Sequence, residues 1–191
     1  MLVLEFVSTV RATRSGLLDT LPDVEGMTEW GRAHAAELGI TAGFTATEDL
    51  WREVVELRQA VRALLARAVA PGPASSADAD RLPGFTESLD LVNATALAAP
   101  LAPRLDWPVE GAPVATSVPA GERAESPRIR AALATSAIEL LAGPAREQLR
   151  ACPAPRCVLY FVKEHSRQEW CSVGCGNRAR AARHYHQHKG R

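Results

Sequence analysis

The chain has 191 residues, of which 47% are hydrophobic and 23% charged, with a formal net charge of zero. That is enough for one domain with a real core plus a small module, and it excludes wholesale disorder. The zero balance hides a dipolar layout: residues 146–191 hold 10 Lys/Arg against 3 Asp/Glu, a net of +7, and residues 1–145 hold 12 against 19, a net of −7.

Residues 2–10, "LVLEFVSTV", are apolar and β-branched, which predicts a strand. Glu5 interrupts the run and no basic segment precedes it, so it does not read as a signal peptide. No apolar run approaches the length of a membrane span. The expected setting is cytoplasmic and reducing, where cysteines are ligands or thiols rather than disulfides. Thr28 is the expected N-cap of a helix over "EWGRAHAAEL", ended by Gly39. The clearest helix is predicted over 48–69. Thr45 and Glu48 have capping-box spacing, with Thr47 a rival cap. Val54, Leu57, Val61, Leu64 and Ala68 follow at steps of three and four and give one apolar stripe. Pro71-Gly72-Pro73 stops it.

A further helix is predicted over 86–98, opening near Thr86. Two short strands around Glu110-Gly111 read as a hairpin. Ser126-Pro127 opens another helix, with Pro at the first position, where its missing N–H is no loss. Ile129, Leu133, Ala137, Leu140 and Leu141 are its expected buried face, and Gly143-Pro144 its end. The fold class expected is mainly α with a few short strands (α+β), in two domains: 1–145 and 146–191.

All four cysteines of the chain fall in the second domain. They read C-x4-C, thirteen intervening residues, then C-x3-C. Zinc takes four ligands in a tetrahedron and thiolates suit it, so Cys152, Cys157, Cys171 and Cys175 are the expected metal set. The alternatives are four ordinary buried thiols or two disulfides, and His165 or a C-terminal histidine in place of one cysteine. "VLYFV" between the pairs reads as a strand, Trp170 as a cover for the metal, and 172–186 as a helix. The outline is knuckle, strand, knuckle, helix. His184, His186 and His188 alternate along the helix and so point apart; they read as a solvated or phosphate-facing end rather than a second metal site.

"CPAPRC", "FVKEHSRQEWCSVGCGNRARAARHY" and the tetrapeptide Cys175-Gly176-Asn177-Arg178 resemble the CGNR zinc finger. That finger usually follows an N-terminal domain of the ABATE type, and "LEFVSTV" and "ELRQAVRALL" resemble parts of that domain. Ser8 stands where the family usually has Asn, and Lys163 where an Asp is common. The resemblance implies a stress-induced transcriptional regulator.

The last helix carries Arg178, Arg180, Arg183 and His184, with Lys189 and Arg191 beyond. Small alanines at 179, 181 and 182 keep it slim enough for a DNA groove. Successive residues turn by about 100°, so Arg180 and Arg183 share a face and Arg178 does not. Arg178 is left as a brace for the knuckle or a phosphate contact. The resemblance favours double-stranded DNA as partner. One finger binds DNA weakly through phosphates alone, which makes a homodimer through the body useful. The other interpretation of the basic run is an interaction module that docks an acidic protein.

No nucleotide-binding or hydrolase motif is present, and four cysteines would leave zinc no open position, so no enzyme is expected. His34, the only histidine before 165, is expected at the surface. Phe6, Trp30, Trp51 and Arg58 are candidates to line a pocket for a small-molecule effector; the alternative is aromatic core and a surface arginine.

Overall fold

The computed structural model describes residues 1–13, 15–78, 82–121 and 124–188, without the side chains of His186 and His188. Among these residues it is mainly helical, with three two-stranded antiparallel pairs.

The N-terminal segment corrects the strand expectation. Leu2–Val7 form a helix, α1, that buries Val3, Phe6 and Val7 at a spacing of three and one. A nine-residue apolar run fits either period; tertiary contact decides it. α1 packs on the later helices, and Ser136 Oγ accepts the Val3 N–H at 3.0 Å, satisfying one of the donors that a helix start leaves open. Strands β1 (Val10–Ala12) and β2 (Leu17–Asp19) follow as a small hairpin, with Val10 opposite Asp19.

Helix α2 (Val24–Ala33) begins earlier than expected. Its cap is Asp23, whose side chain accepts from Gly26 N at 2.9 Å. Thr28 lies inside the helix. Its hydroxyl donates to Val24 O at 2.8 Å and accepts from Ala46 N at 3.0 Å, which ties the chain entering the next helix to α2. A break at His34 leads to α3 (Ala35–Leu38), ended by Gly39 in the left-handed region at φ 63°.

The long helix α4 (Glu48–Ala68) is capped by Thr47, which accepts from Leu50 N at 3.2 Å. Thr45 is not the cap; it stands 3.5 Å from an Arg32 nitrogen. The apolar stripe from Val54 to Leu64 is buried, and α4, α5 (Phe85–Leu97) and α6 (Glu125–Ala142) pack pairwise around it. α6 begins two residues before Pro127 and buries Ile129, Leu133, Ala137 and Leu140. Between α5 and α6, strands β3 (Leu101–Asp106) and β4 (Val114–Pro119) pair as the hairpin expected around Glu110-Gly111. Both are edge strands, so their prolines remove no ladder bond from an inner strand.

A 3₁₀ turn (Pro144–Gln148) leads into β5 (Leu149–Ala151), which pairs with β6 (Tyr160–Val162). Leu149 and Tyr160 belong to the main core, while Cys152, Ala154, Cys157, Phe161 and Cys175 form a second apolar cluster. The last helix, α7 (Val173–His188), runs out from that cluster.

Two arginines one turn apart on α4 are fully buried. Arg58 donates to Thr9 Oγ1 at 2.8 Å and to both oxygens of Asp19. Arg62 donates to Asp78 Oδ1 at 2.6 Å, Val7 O at 2.7 Å and Val158 O at 3.2 Å. Tyr160 closes the second network by donating to Asp78 Oδ2 at 2.6 Å. α4 thus holds α1, the 75–78 loop and the strand entering β6 through one guanidinium.

Candidate metal centre and basic helix

The first knuckle is a turn in which Cys157 N donates to Ala154 O at 2.9 Å. Arg156 takes φ 62° there, a conformation side chains rarely adopt. Cys152 N donates to the carbonyl of Leu159, the residue before β6, at 2.9 Å. The second knuckle opens α7, where Ser172 Oγ accepts from Cys175 N at 3.2 Å in the manner of a cap.

Together the knuckles bring the four sulfurs within 4.8 Å of one another. Cys157 and Cys171 sulfurs are 3.7 Å apart, and Cys171 and Cys175 sulfurs 3.4 Å. Four thiolates at about 2.3 Å from zinc stand about 3.8 Å apart in a tetrahedron, so the cage has the right size. All four cysteines are free thiols rather than disulfides. His165 is exposed and outside the cluster, so a four-sulfur set is the one assembled.

Hydrogen bonds from neighbouring sulfurs set how these thiols ionise. Bonds to Cys152, then to Cys157, together with burial, hold the Cys171 proton far above the ordinary thiol range. The Cys157 thiol is pushed up to about 11, first by its bond to Cys152. Cys152 receives such bonds and is displaced in the opposite direction. Crowded sulfurs share protons because they cannot all carry charge unaided; a dication supplies what lets all four ionise.

Three residues of the CGNR tetrapeptide support this centre. Arg178 donates to Cys175 Sγ at 2.9 Å. Gly176 admits Trp170 over the cluster: a Cβ there would stand 3.1 Å from the indole. Asn177 Oδ1 accepts from Arg180 at 2.6 Å. The Arg180 and Arg183 guanidinium carbons lie 5.7 and 5.6 Å from the Trp170 ring centre. The indole thus has both arginines against it, while Arg178 turns to the sulfur. Sequence reasoning found the ligands and the indole cover; it did not find the Asn177–Arg180 bond. His184 is exposed. Lys189 and Arg191 lie outside the described residues.

The four pocket candidates do not meet around one cavity. Phe6 is core, and Arg58 is consumed by Asp19 and Thr9 rather than exposed. Trp51 donates its indole N–H to Leu21 O at 3.0 Å. Of the four, Trp30 alone lines a groove of about 890 Å³ that runs between α1 and the finger. His34 lines it too. It is half-hidden rather than freely exposed, stacked on Trp30 at 4.3 Å and bonded to Glu5 at 2.8 Å.

A helical body that ends in a closed four-cysteine cage with a basic helix defines a zinc-finger protein. Comparison with family models agrees. Residues 1–144 match the ABATE model, described as "Putative stress-induced transcription regulator", and residues 148–188 match the CGNR zinc finger. The chain belongs to the ABATE family and carries the CGNR finger behind it. Neither description is enzymatic. A comparison with curated proteins returns no match. No helix among the described residues is long and apolar enough to cross a membrane.

Proposed function

We propose that the chain is a zinc-dependent, DNA-binding transcriptional regulator of the cytoplasm, associated with the nucleoid when bound. The observation that carries this is the rooting of α7: within about two turns of the ligand Cys175, the helix presents Arg180 and Arg183 together over Trp170. Zinc fixes the helix start, the indole orders two long cations, and the alanines between them leave room for a groove wall. The body, 1–145, is the regulatory unit, dimerising or sensing a small molecule; the finger, 146–191, is the DNA-reading unit. A two-fold dimer would double the phosphate contacts that one finger supplies. No catalysis is assigned, because four thiolates leave the metal no open position.

The test is selection from random duplex DNA with the zinc-loaded chain. Enrichment of a sequence, with binding that falls steeply as salt rises, supports the reading. Recovery of no duplex, alongside salt-sensitive binding of acidic peptides, would replace it with the interaction-module alternative.

A further inference from the structure

The groove between α1 and the finger continues into a smaller recess that the basic helix does not explain. The recess encloses about 410 Å³ and is lined by Ala12, Thr13, Arg156 and Arg178. Ala12, Arg156 and Arg178 also line the larger groove, on whose wall Arg11 stands. The first zinc knuckle and the start of α7 each give an arginine to the recess, and the body hairpin gives Arg11 to the groove that shares its wall.

These cations are largely unspent. Among the described residues Arg156 makes no side-chain hydrogen bond or ion pair, and it is exposed. Arg178 commits one terminal nitrogen to Cys175 Sγ, and Arg11 commits Nε to Ser8 O at 2.9 Å. Each keeps further N–H groups for a ligand. The larger groove has two carboxylates, Glu5 and Glu164, but neither lines the recess, and Glu5 is already bonded to His34. Arg156 also holds φ 62°, where glycine would be unstrained. A side chain kept in such a conformation is a sign of function.

We propose that Arg11, Arg156 and Arg178 form a phosphate-binding seat at the junction of body and finger. Guanidinium forks match phosphate oxygens bidentately, and several such forks lining one concave surface suit a phosphate better than a lone carboxylate. Two sources share that chemistry: a backbone phosphate of duplex DNA lying along α7, and the phosphate of a small effector. The first rests on the function proposed above; the second does not.

The test uses the zinc-loaded full chain with Arg156→Gly, Arg156→Lys and Arg11→Ala. Glycine keeps the turn without strain. Arg52→Ala, an exposed α4 position outside the groove, controls for net charge. Zinc content is measured for each, and binding of duplex DNA across a salt series and of pyrophosphate by calorimetry. If DNA is the source, Arg156→Gly and Arg11→Ala each flatten the slope of log K against log salt by about 0.9, Arg156→Lys largely restores it, and Arg52→Ala leaves it unchanged. If a small effector is the source, the wild-type chain binds pyrophosphate and Arg156→Gly weakens this tenfold or more while duplex binding is unmoved. That outcome upholds the seat even if the chain binds no duplex at all. If Arg156→Gly changes neither ligand at full zinc content, the seat is overturned. Duplex binding that is still lost on replacing Arg180 and Arg183 would then leave the proposed function standing.

Discussion

Arg178 shows how one residue divides its charge between structure and recognition. A zinc ion with four thiolates carries a net charge of −2, and the Arg178 N–H group at 2.9 Å from Cys175 Sγ offsets part of it. Arg178→Met should lower zinc affinity about 10- to 100-fold, the range for residues that orient metal ligands. Competition with a chromophoric chelator would read it, and an unchanged affinity would remove the brace. Asp19 makes a second residue-scale case. Burial alone would raise its carboxyl, but the hydrogen bonds from Arg58 outweigh this and hold it below the ordinary carboxylate range. A depressed carboxyl stabilises the fold fully above its unfolded pKa and loses that contribution as pH falls through the folded value. The urea midpoint of the wild-type chain should therefore exceed that of Asp19→Asn at pH 6, and the gap should narrow below about pH 4. A constant gap down to pH 3 would detach Asp19 from stability. At this scale the cysteines were legible because their spacing and exclusive clustering leave little else for them to do. The role of Arg178 was half legible: its separate helix face left it a brace for the knuckle or a phosphate contact, and its bond to the Cys175 sulfur appears only once the helix start is folded.

At the scale of elements, α4 was readable from its stripe and α1 was not. An amphipathic helix of 21 residues repeats its period several times, whereas Leu2–Val7 spans less than two turns, too few for the period to appear. The buried arginines of α4 escaped for a different reason. Arg58 and Arg62 sit one turn apart on a face that looks solvated in one dimension, and their partners, Asp19 at the end of β2 and Asp78 in the loop after α4, lie outside the helix. Arg62 also fastens the finger, because Val158 follows the ligand Cys157 directly and its carbonyl accepts from both Arg62 and Ser75. Arg62→Met should destabilise the chain by about 3–5 kcal/mol, since Asp78 stays buried without its partner. Urea denaturation would measure this. Asp78→Asn combined with Arg62→Met should recover part of the loss; no recovery would place the cost in packing rather than in the orphaned charge.

For the whole molecule, the opposed charges of body and finger were legible from the charge distribution, and the class of protein from the cysteine pairs and the resemblance they carry. The joint between body and finger was not. Leu149 and Tyr160 lie in the body's core although they flank the first cysteine pair, so the finger grows out of the core instead of hanging from a linker. Removing zinc with a chelator should therefore release α7 and Trp170 while β5, β6 and the body helices persist. Circular dichroism should lose roughly the helix of α7 alone, and a collapse of all helicity would show that metal and body fold as one unit. The central claim is that the zinc-rooted helix binds duplex DNA through the arginines gathered by Trp170. Its most direct test is the salt dependence of duplex binding by the zinc-loaded chain against Arg180→Ala/Arg183→Ala at equal zinc content. Loss of two phosphate contacts should lower the slope of log K against log salt by about 1.8 and weaken binding across all sequences. Identical slopes and affinities for the two proteins would contradict the account.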